Sequence, residues 1–324
     1  MSKTEKNANL NKLLRELEKN YNIKKASEVE PEQILRTGIY PLDYVLSGGI
    51  HICEGGHRIE FFGAESSGKT TFALHIIKKY QEEGKTCVFM DAENSYDGEW
   101  AKIIGVNNDD LLIVKPKSLE EAGDLFVRLI PEVDLIVIDS IVSLIPEEEI
   151  DRETNQPTMG LQARVNALIT RKIYGSIARR KTTMIFINQL REKIGVMYGN
   201  PYTTGGGRAI KHMYNTRIEF RAGKPIDVGS GDKKERIGIE INLKCIKNKK
   251  GKPYRNAVID FYFTGNIDNK TSLFFSAVKY GIIKRSGAWF EYEKVRTQGK
   301  DKLIEELKDK DWKKIEGEIW KRIK

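Results

Sequence analysis

The stretch that most narrows what this chain can fold into is Gly63-Ala64-Glu65-Ser66-Ser67-Gly68-Lys69-Thr70, a match to G-x-x-x-x-G-K-[ST]. It follows the apolar run Arg58–Phe62 and opens a helical stretch over Thr70–Glu83. A glycine-bounded turn between a strand and a helix converges backbone N–H groups on one point, which suits a phosphate. Lys69 supplies a cation for β/γ oxygens, and the Thr70 hydroxyl a ligand for Mg²⁺. The placement after a strand and before a helix separates this match from a chance glycine turn.

The flanking pattern agrees with an α/β fold. Apolar, β-branched-rich runs at Arg58–Phe62, Cys87–Met90, Leu111–Val114, Leu135–Ile138 and Met184–Ile187 read as parallel strands buried on both faces. Helical stretches at Tyr96–Ile104, Leu119–Leu129 and Gly160–Arg180 lie between them, so an open sheet flanked by helices is expected. Runs at Thr216–Arg221, Ile237–Lys247 and Ala257–Phe263 alternate more strictly and predict antiparallel strands finishing the sheet. Ile315, Ile319 and Trp312 mark a small C-terminal lobe. At the other end Leu10, Leu13, Leu14, Leu17 and Tyr21 form an amphipathic helical stripe, followed by a polar linker from Lys24 to Glu32. That stripe packs either on its own core or on a neighbouring subunit.

Composition removes several classes. Three cysteines, odd in number and without CxxC spacing, argue against a disulfide framework and for a reducing cytoplasm. The four histidines complete no zinc pattern with them. No apolar stretch reaches signal-peptide or membrane-spanning length, so secretion and a membrane partner are not expected. A net charge of +9 fits an anionic partner such as nucleic acid, but also an ordinary soluble protein.

Two further carboxylates complete a site for nucleotide chemistry. Leu135–Asp139 is an apolar run ending in an acid, which puts Asp139 at a strand end where a metal-side group is required. Asp91-Ala92-Glu93 closes the run Cys87–Met90 in the same way. Glu93 is the candidate for orienting the attacking water, while Asp91 also suits a helix cap. Binding without turnover is the alternative.

These residues, with Thr37-Gly38, Leu42-Asp43, Gly63–Thr71, Phe89–Asp97, Leu135–Ser140 and above all the block Phe186–Pro201, resemble the RecA family of DNA recombinases in its bacterial-type branch. The resemblance runs from about residue 37 to 265 and weakly beyond. It implies a RecA-like P-loop ATPase core with a mostly parallel sheet over 34–265, an N-terminal helix and linker for subunit docking over 1–33, and a small α/β C-terminal lobe over 266–324. It further implies ATP held by Gly63, Glu65, Ser66, Ser67, Gly68, Lys69, Thr70 and Thr71, with Mg²⁺ at Thr70 and Asp139. Trp100 stacks on adenine or is a half-buried packing residue; Asp97 lies near the base. Thr264 stands where the family has a second aromatic.

In the family the counterpart of Gln189 senses the γ-phosphate and signals to a DNA-binding loop, here about 190–207. Its candidates are Arg191, Lys193, Ile194, Gly195, Gly206, Gly207 and Arg208; read without the resemblance, the segment is a flexible surface loop. A second DNA loop spans about 146–159, with Met159, Gly160 and Arg164 at its end, but its Glu147–Glu153 stretch is unusually acidic. Met159 and Ile194 match residues that wedge between bases. Lys247 and Lys249 resemble lysines that reach a neighbour's ATP across a filament interface; a solvated basic hairpin is the plain alternative. His212 replaces an aromatic usual at that interface.

The function expected is an ATP- and single-stranded-DNA-dependent recombinase that forms a helical filament and pairs it with homologous duplex DNA. A ring-shaped helicase or motor on the same core, and an ATP-switched mediator without turnover, are the alternatives. From Lys300 to Lys324 there are nine basic and seven acidic residues, so the acidic tail that restrains duplex binding in the family is not expected here.

Overall fold

The structure is a computed structural model that describes residues 3–17, 23, 26–28, 31–150, 160–192 and 202–323. The chain divides at Gln33/Ile34 into two units. The first carries α1 (Lys3–Leu17), whose Leu10 and Leu13 are about half exposed. The boundary falls within β1 (Gln33–Leu35), and the second unit goes on with α2 (Tyr40–Val45) and β2 (Ile50–Ile52), then runs through β3 (Arg58–Gly63), α3 (Lys69–Glu82), β4 (Cys87–Asp91), α4 (Gly98–Ile104), β5 (Leu111–Val114), α5 (Leu119–Leu129) and β6 (Leu135–Asp139). Next come α6 (Glu147–Ile150), α7 (Leu161–Ile177), β7 (Thr183–Glu192), β8 (Tyr202–Thr204) and α8 (Gly207–Met213). The long strands β9 (Thr216–Val228) and β10 (Glu235–Asn248) follow, with β11 (Asn256–Tyr262) and β12 (Ile267–Asp268). The C-terminal part has α9 (Asn269–Lys279), β13 (Lys284–Ser286), β14 (Trp289–Tyr292), β15 (Val295–Gln298), α10 (Lys300–Glu306) and α11 (Asp309–Ile323).

The main sheet has the order β12-β11-β10-β9-β3-β7-β6-β4-β5, with β8 paired to β7. Strands β5, β4, β6, β7, β3 and β9 run parallel; along this path the pairing is antiparallel only from β9 to β12. This corrects the expectation for Thr216–Arg221. The short helix α8 returns the chain across the sheet, so β9 enters beside β3 in the same direction.

Alternation along the central strands sorts their side chains into two cores. On β4, Cys87 and Phe89 join Ile59, Phe61, Phe72, Ile76 and Tyr80 under α3, whereas Val88 and Met90 join Phe126, Ile138, Ile173 and Phe186 under α5 and α7. β5 departs from the expected double burial: it is the sheet edge, and Leu112 and Ile113 are 54% and 37% exposed. The C-terminal lobe has its own core, with Trp312, Ile315 and Ile319 buried against Leu273, Phe274 and Leu303. Its three-stranded sheet β13-β14-β15 is the β part of the small α/β lobe that the resemblance implied. All three cysteines are buried and none is in a disulfide. No described helix is long and apolar enough to cross a membrane.

Candidate functional site

Parallel pairing puts the C-terminal ends of β3, β4, β6 and β7 at one edge, where Gly63, Asp91, Asp139 and Gln189 end or lie near the strand ends. The turn after β3 is shaped by its glycines. A Cβ on Gly63 would lie 2.1 Å from the Phe220 carbonyl oxygen, and Gly68 sits at φ +88° as the N-cap of α3. Both positions therefore require glycine. Ala64, Glu65 and Ser66 are exposed, Ser67 is buried, and the Ser67 Oγ donates to the Ala64 carbonyl at 2.8 Å. Lys69 Nζ donates to the Ala64 carbonyl at 2.7 Å, and burial lowers its pKa against the pull of Asp139, Glu93 and Glu65. A cation held in this loop, at the start of α3, is a favourable setting for an anion.

Thr70 Oγ1 donates to Asp139 Oδ2 at 2.5 Å. Burial raises the Asp139 pKa to about 6; the Thr70 hydrogen bond opposes this and the nearby Glu93 charge adds to it. A hydroxyl beside a buried acid at a strand end is a donor set suited to a hard divalent cation, so Mg²⁺ fits these residues.

Glu93 is exposed, and its Oε1 is a meeting point. It accepts from Ser140 Oγ at 2.6 Å, from Ser143 Oγ at 2.7 Å and from Gln189 Nε2 at 3.3 Å. The backbone N–H groups of Ala92 and Glu93 donate to the Asp139 carbonyl at 2.8 and 3.2 Å, which ties the two acidic strand ends together. Asp91, by contrast, is buried and accepts from the N–H groups of Ser95 and Tyr96, so it shapes the turn. The serines carry no pattern in the sequence and were missed there.

Asp97 is the N-cap of α4, with Oδ1 accepting from Glu99 N and Trp100 N. Trp100 is half-buried: its Nε1 donates to Thr71 Oγ1 at 3.2 Å and its ring meets Phe261 edge-on at 6.4 Å. It thus packs on the core while touching the cradle helix. Phe263, 51% exposed, is next to Thr264.

Of the DNA candidates, Met159, Lys193, Ile194 and Gly195 lie outside the described residues. Gly160 is the exposed N-cap of α7 at φ +78°, and Arg164 is exposed one turn on. Arg191 is exposed on β7 opposite Thr203 of β8. Gly206 is the N-cap of α8, and Gly207 and exposed Arg208 open that helix. The end of the 190–207 segment is therefore ordered strand and helix, which corrects the flexible-loop reading for this part. Its glycines are packed: a Cβ on Gly205 would lie 2.6 Å from Val142 and one on Gly207 3.3 Å from Ala163. That last contact joins the starts of α7 and α8, and with them the ends of both expected DNA segments. Arg171 lies exposed seven residues after Arg164 on α7, hence on the same face, a spacing the sequence reading overlooked.

Lys247 Nζ donates to the Lys211 and His212 carbonyls at 2.8 and 3.3 Å, at the end of α8. Burial, then the Lys249 and Arg217 charges, lower its pKa to about 8. Lys249 is exposed.

The RecA N-terminal domain family matches residues 7–268 and the RecA C-terminal domain family residues 271–324. Protein RecA of Lactococcus lactis subsp. cremoris (strain MG1363) is 45% identical over 280 residues, 85% of this chain and 72% of that protein. Protein RecA of Thermus thermophilus is 39% identical over 311 residues, 93% of this chain and 89% of that protein. Protein RecA of Streptococcus pneumoniae (strain CGSP14) is 42% identical over 264 residues, 81% of this chain and 67% of that protein. These matches bring nucleotide binding, DNA as partner and filament formation as general properties. The chain belongs to the RecA family and is an ATP-dependent DNA recombinase whose enzymatic activity is DNA-dependent ATP hydrolysis.

Proposed function

We propose that ATP is bound by Gly63–Thr71 and hydrolysed with water oriented by Glu93, and that single-stranded DNA runs over the starts of α7 and α8. The observation that carries this reading is the triple hold on Glu93 Oε1 by Ser140, Ser143 and Gln189. A carboxylate fixed by hydroxyls and one amide is oriented for a water, while the amide belongs to the strand that leads into the 190–207 DNA segment. Mg²⁺ would be held through Thr70 and Asp139 and would neutralise phosphate charge. Lys69 binds the phosphates, and Trp100 with Asp97 borders the base.

Lys247 and Lys249 serve the neighbouring subunit's ATP, which makes turnover depend on assembly. The exposed apolar stripe of α1 supports docking on another copy. Gly160, Arg164, Gly206, Gly207 and Arg208 contact the DNA backbone, with Arg171 extending the row along α7. The chain works in three parts, a docking segment over 1–33, the ATPase core over 34–265 and the C-terminal lobe over 266–324.

The test is ATP turnover with and without single-stranded DNA. Turnover should rise sharply with DNA, and Lys69→Ala should abolish it. Glu93→Gln should lower kcat by about 10²–10⁴-fold with ATP binding retained. Wild-type turnover indifferent to DNA across a wide salt range would refute the reading.

A further inference from the structure

Successive strand residues face opposite sides of a sheet, and β7 uses this at Asn188-Gln189. Gln189 reaches Glu93 on the nucleotide side. Asn188 is fully buried, and its Nδ2 donates to Glu60 Oε1 at 2.8 Å and to the Gly205 carbonyl at 3.5 Å. Glu60 is also fully buried and is ion-paired with Arg217, whose Nη2 donates to Thr204 Oγ1 at 3.0 Å. Thr204 and Gly205 are the residues just before the N-cap of α8. One buried network therefore holds that point twice, through a side-chain hydroxyl and through a carbonyl.

A second amide meets it from the other side. Asn166, on α7, is fully buried, and its Nδ2 is 3.7 Å from where a Cβ on Gly206 would lie. Among the described residues, neither Asn166 Nδ2 nor Asn166 Oδ1 nor Asn188 Oδ1 has a hydrogen-bond partner. Buried polar atoms are almost always paired, so these three require partners in a working state of the protein. The backbone next to them is Gly205–Gly207, and the first N–H groups of α8 have no partner inside their own helix. Small residues there let backbone approach the amides without side chains in the way.

We propose that Asn166 and Asn188 are positioning residues that couple DNA binding to ATP hydrolysis. With DNA bound, the Gly205–Gly207 backbone seats on the open amide atoms. The rigid strand β7 then passes that seating from Asn188 to Gln189 and so to Glu93. This rests on the DNA and ATP assignments of the preceding section and adds how the two are linked. Neither asparagine touches nucleotide or DNA.

The experiment is Asn166→Leu, which removes both open amide atoms at similar volume, in the full chain. Expected are DNA-free ATP turnover within two-fold of wild type, an unchanged or higher Tm, and single-stranded-DNA stimulation reduced at least five-fold. Backbone amide exchange at residues 206–208 should slow with DNA and a slowly hydrolysed ATP analogue in wild type but not in the variant. Stimulation equal to wild type overturns the proposal, as does a parallel loss of DNA-free turnover, which a purely structural role would give. If Asn166→Leu folds poorly, Asn188→Asp tests the other amide, because a second oxygen beside Glu60 breaks the hold on Gly205. It should lose stimulation while keeping DNA-free turnover; retained stimulation overturns the coupling. Wild type that is itself unstimulated would refute the DNA and ATP assignments instead, so the two failures are distinguishable.

Discussion

At the scale of single residues, burial decides which acidic groups can respond to pH. Asp43 is 2% exposed and accepts from Thr37 N at 2.9 Å and Thr37 Oγ1 at 2.8 Å. Burial raises its pKa to about 7, and the Thr37 hydrogen bonds only partly oppose this. A folded-state pKa above the unfolded value means the folded form keeps a proton that the unfolded form releases. The contribution of Asp43 is thus greatest below about pH 4 and is lost as pH rises through about 7. Asp43→Asn should therefore flatten the fall in Tm between pH 5 and pH 8; an equally steep fall in the variant would show that another group is responsible. Lys69 and Thr70 were legible in the sequence from the G-x-x-x-x-G-K-[ST] spacing, and Asp139 and Glu93 because each ends or follows an apolar strand, where a charged residue has few other reasons to be. Ser140 and Ser143 were not, since a hydroxyl in a mixed run has no periodic signature. Asn166 was hidden for a related reason: a polar residue on a helix normally reads as solvent-facing, and only packing reveals it to be buried.

At the scale of elements, the helices and central strands followed from period, whereas direction and packing did not. The parallel entry of β9 depends on α8, which at seven residues is too short to announce itself as a crossover. The run Gly205-Gly206-Gly207 reads in sequence as freedom, yet its first member is in contact with β6-side packing through Val142. Gly205→Ala should lower stability by about 1–3 kcal/mol, as overpacking does. Val142→Ala in the same chain should restore part of the loss if the clash is the cause. An unchanged Tm in Gly205→Ala would mean the position is open. At the far end of α8, Lys247 satisfies two carbonyls that the helix leaves without partners. Lys247→Ala should cost a capping interaction of about 0.5–1.5 kcal/mol in the isolated protein. If its proposed reach to a neighbour is correct, it should also abolish most DNA-stimulated turnover while ATP binding persists. A variant that loses stability alone would confine Lys247 to capping.

At the scale of the whole molecule, the net charge of +9 favours assembly on a polyanion. Electron microscopy with single-stranded DNA and a slowly hydrolysed ATP analogue should give helical filaments rather than rings, and deletion of residues 3–17 should shorten them. Filaments of undiminished length would mean that α1 has another role. Among the described residues the sheet also ends in a strand with one unpaired edge, β5, on which Leu112 and Ile113 face water. Such an edge invites any extended chain, and a sheet that is not blunted there is a liability in concentrated solution. Solubility and self-recognition are then two aspects of the same strand. Leu112→Lys should suppress light scattering by the DNA-free protein at high concentration, and the molecule would become better behaved in storage.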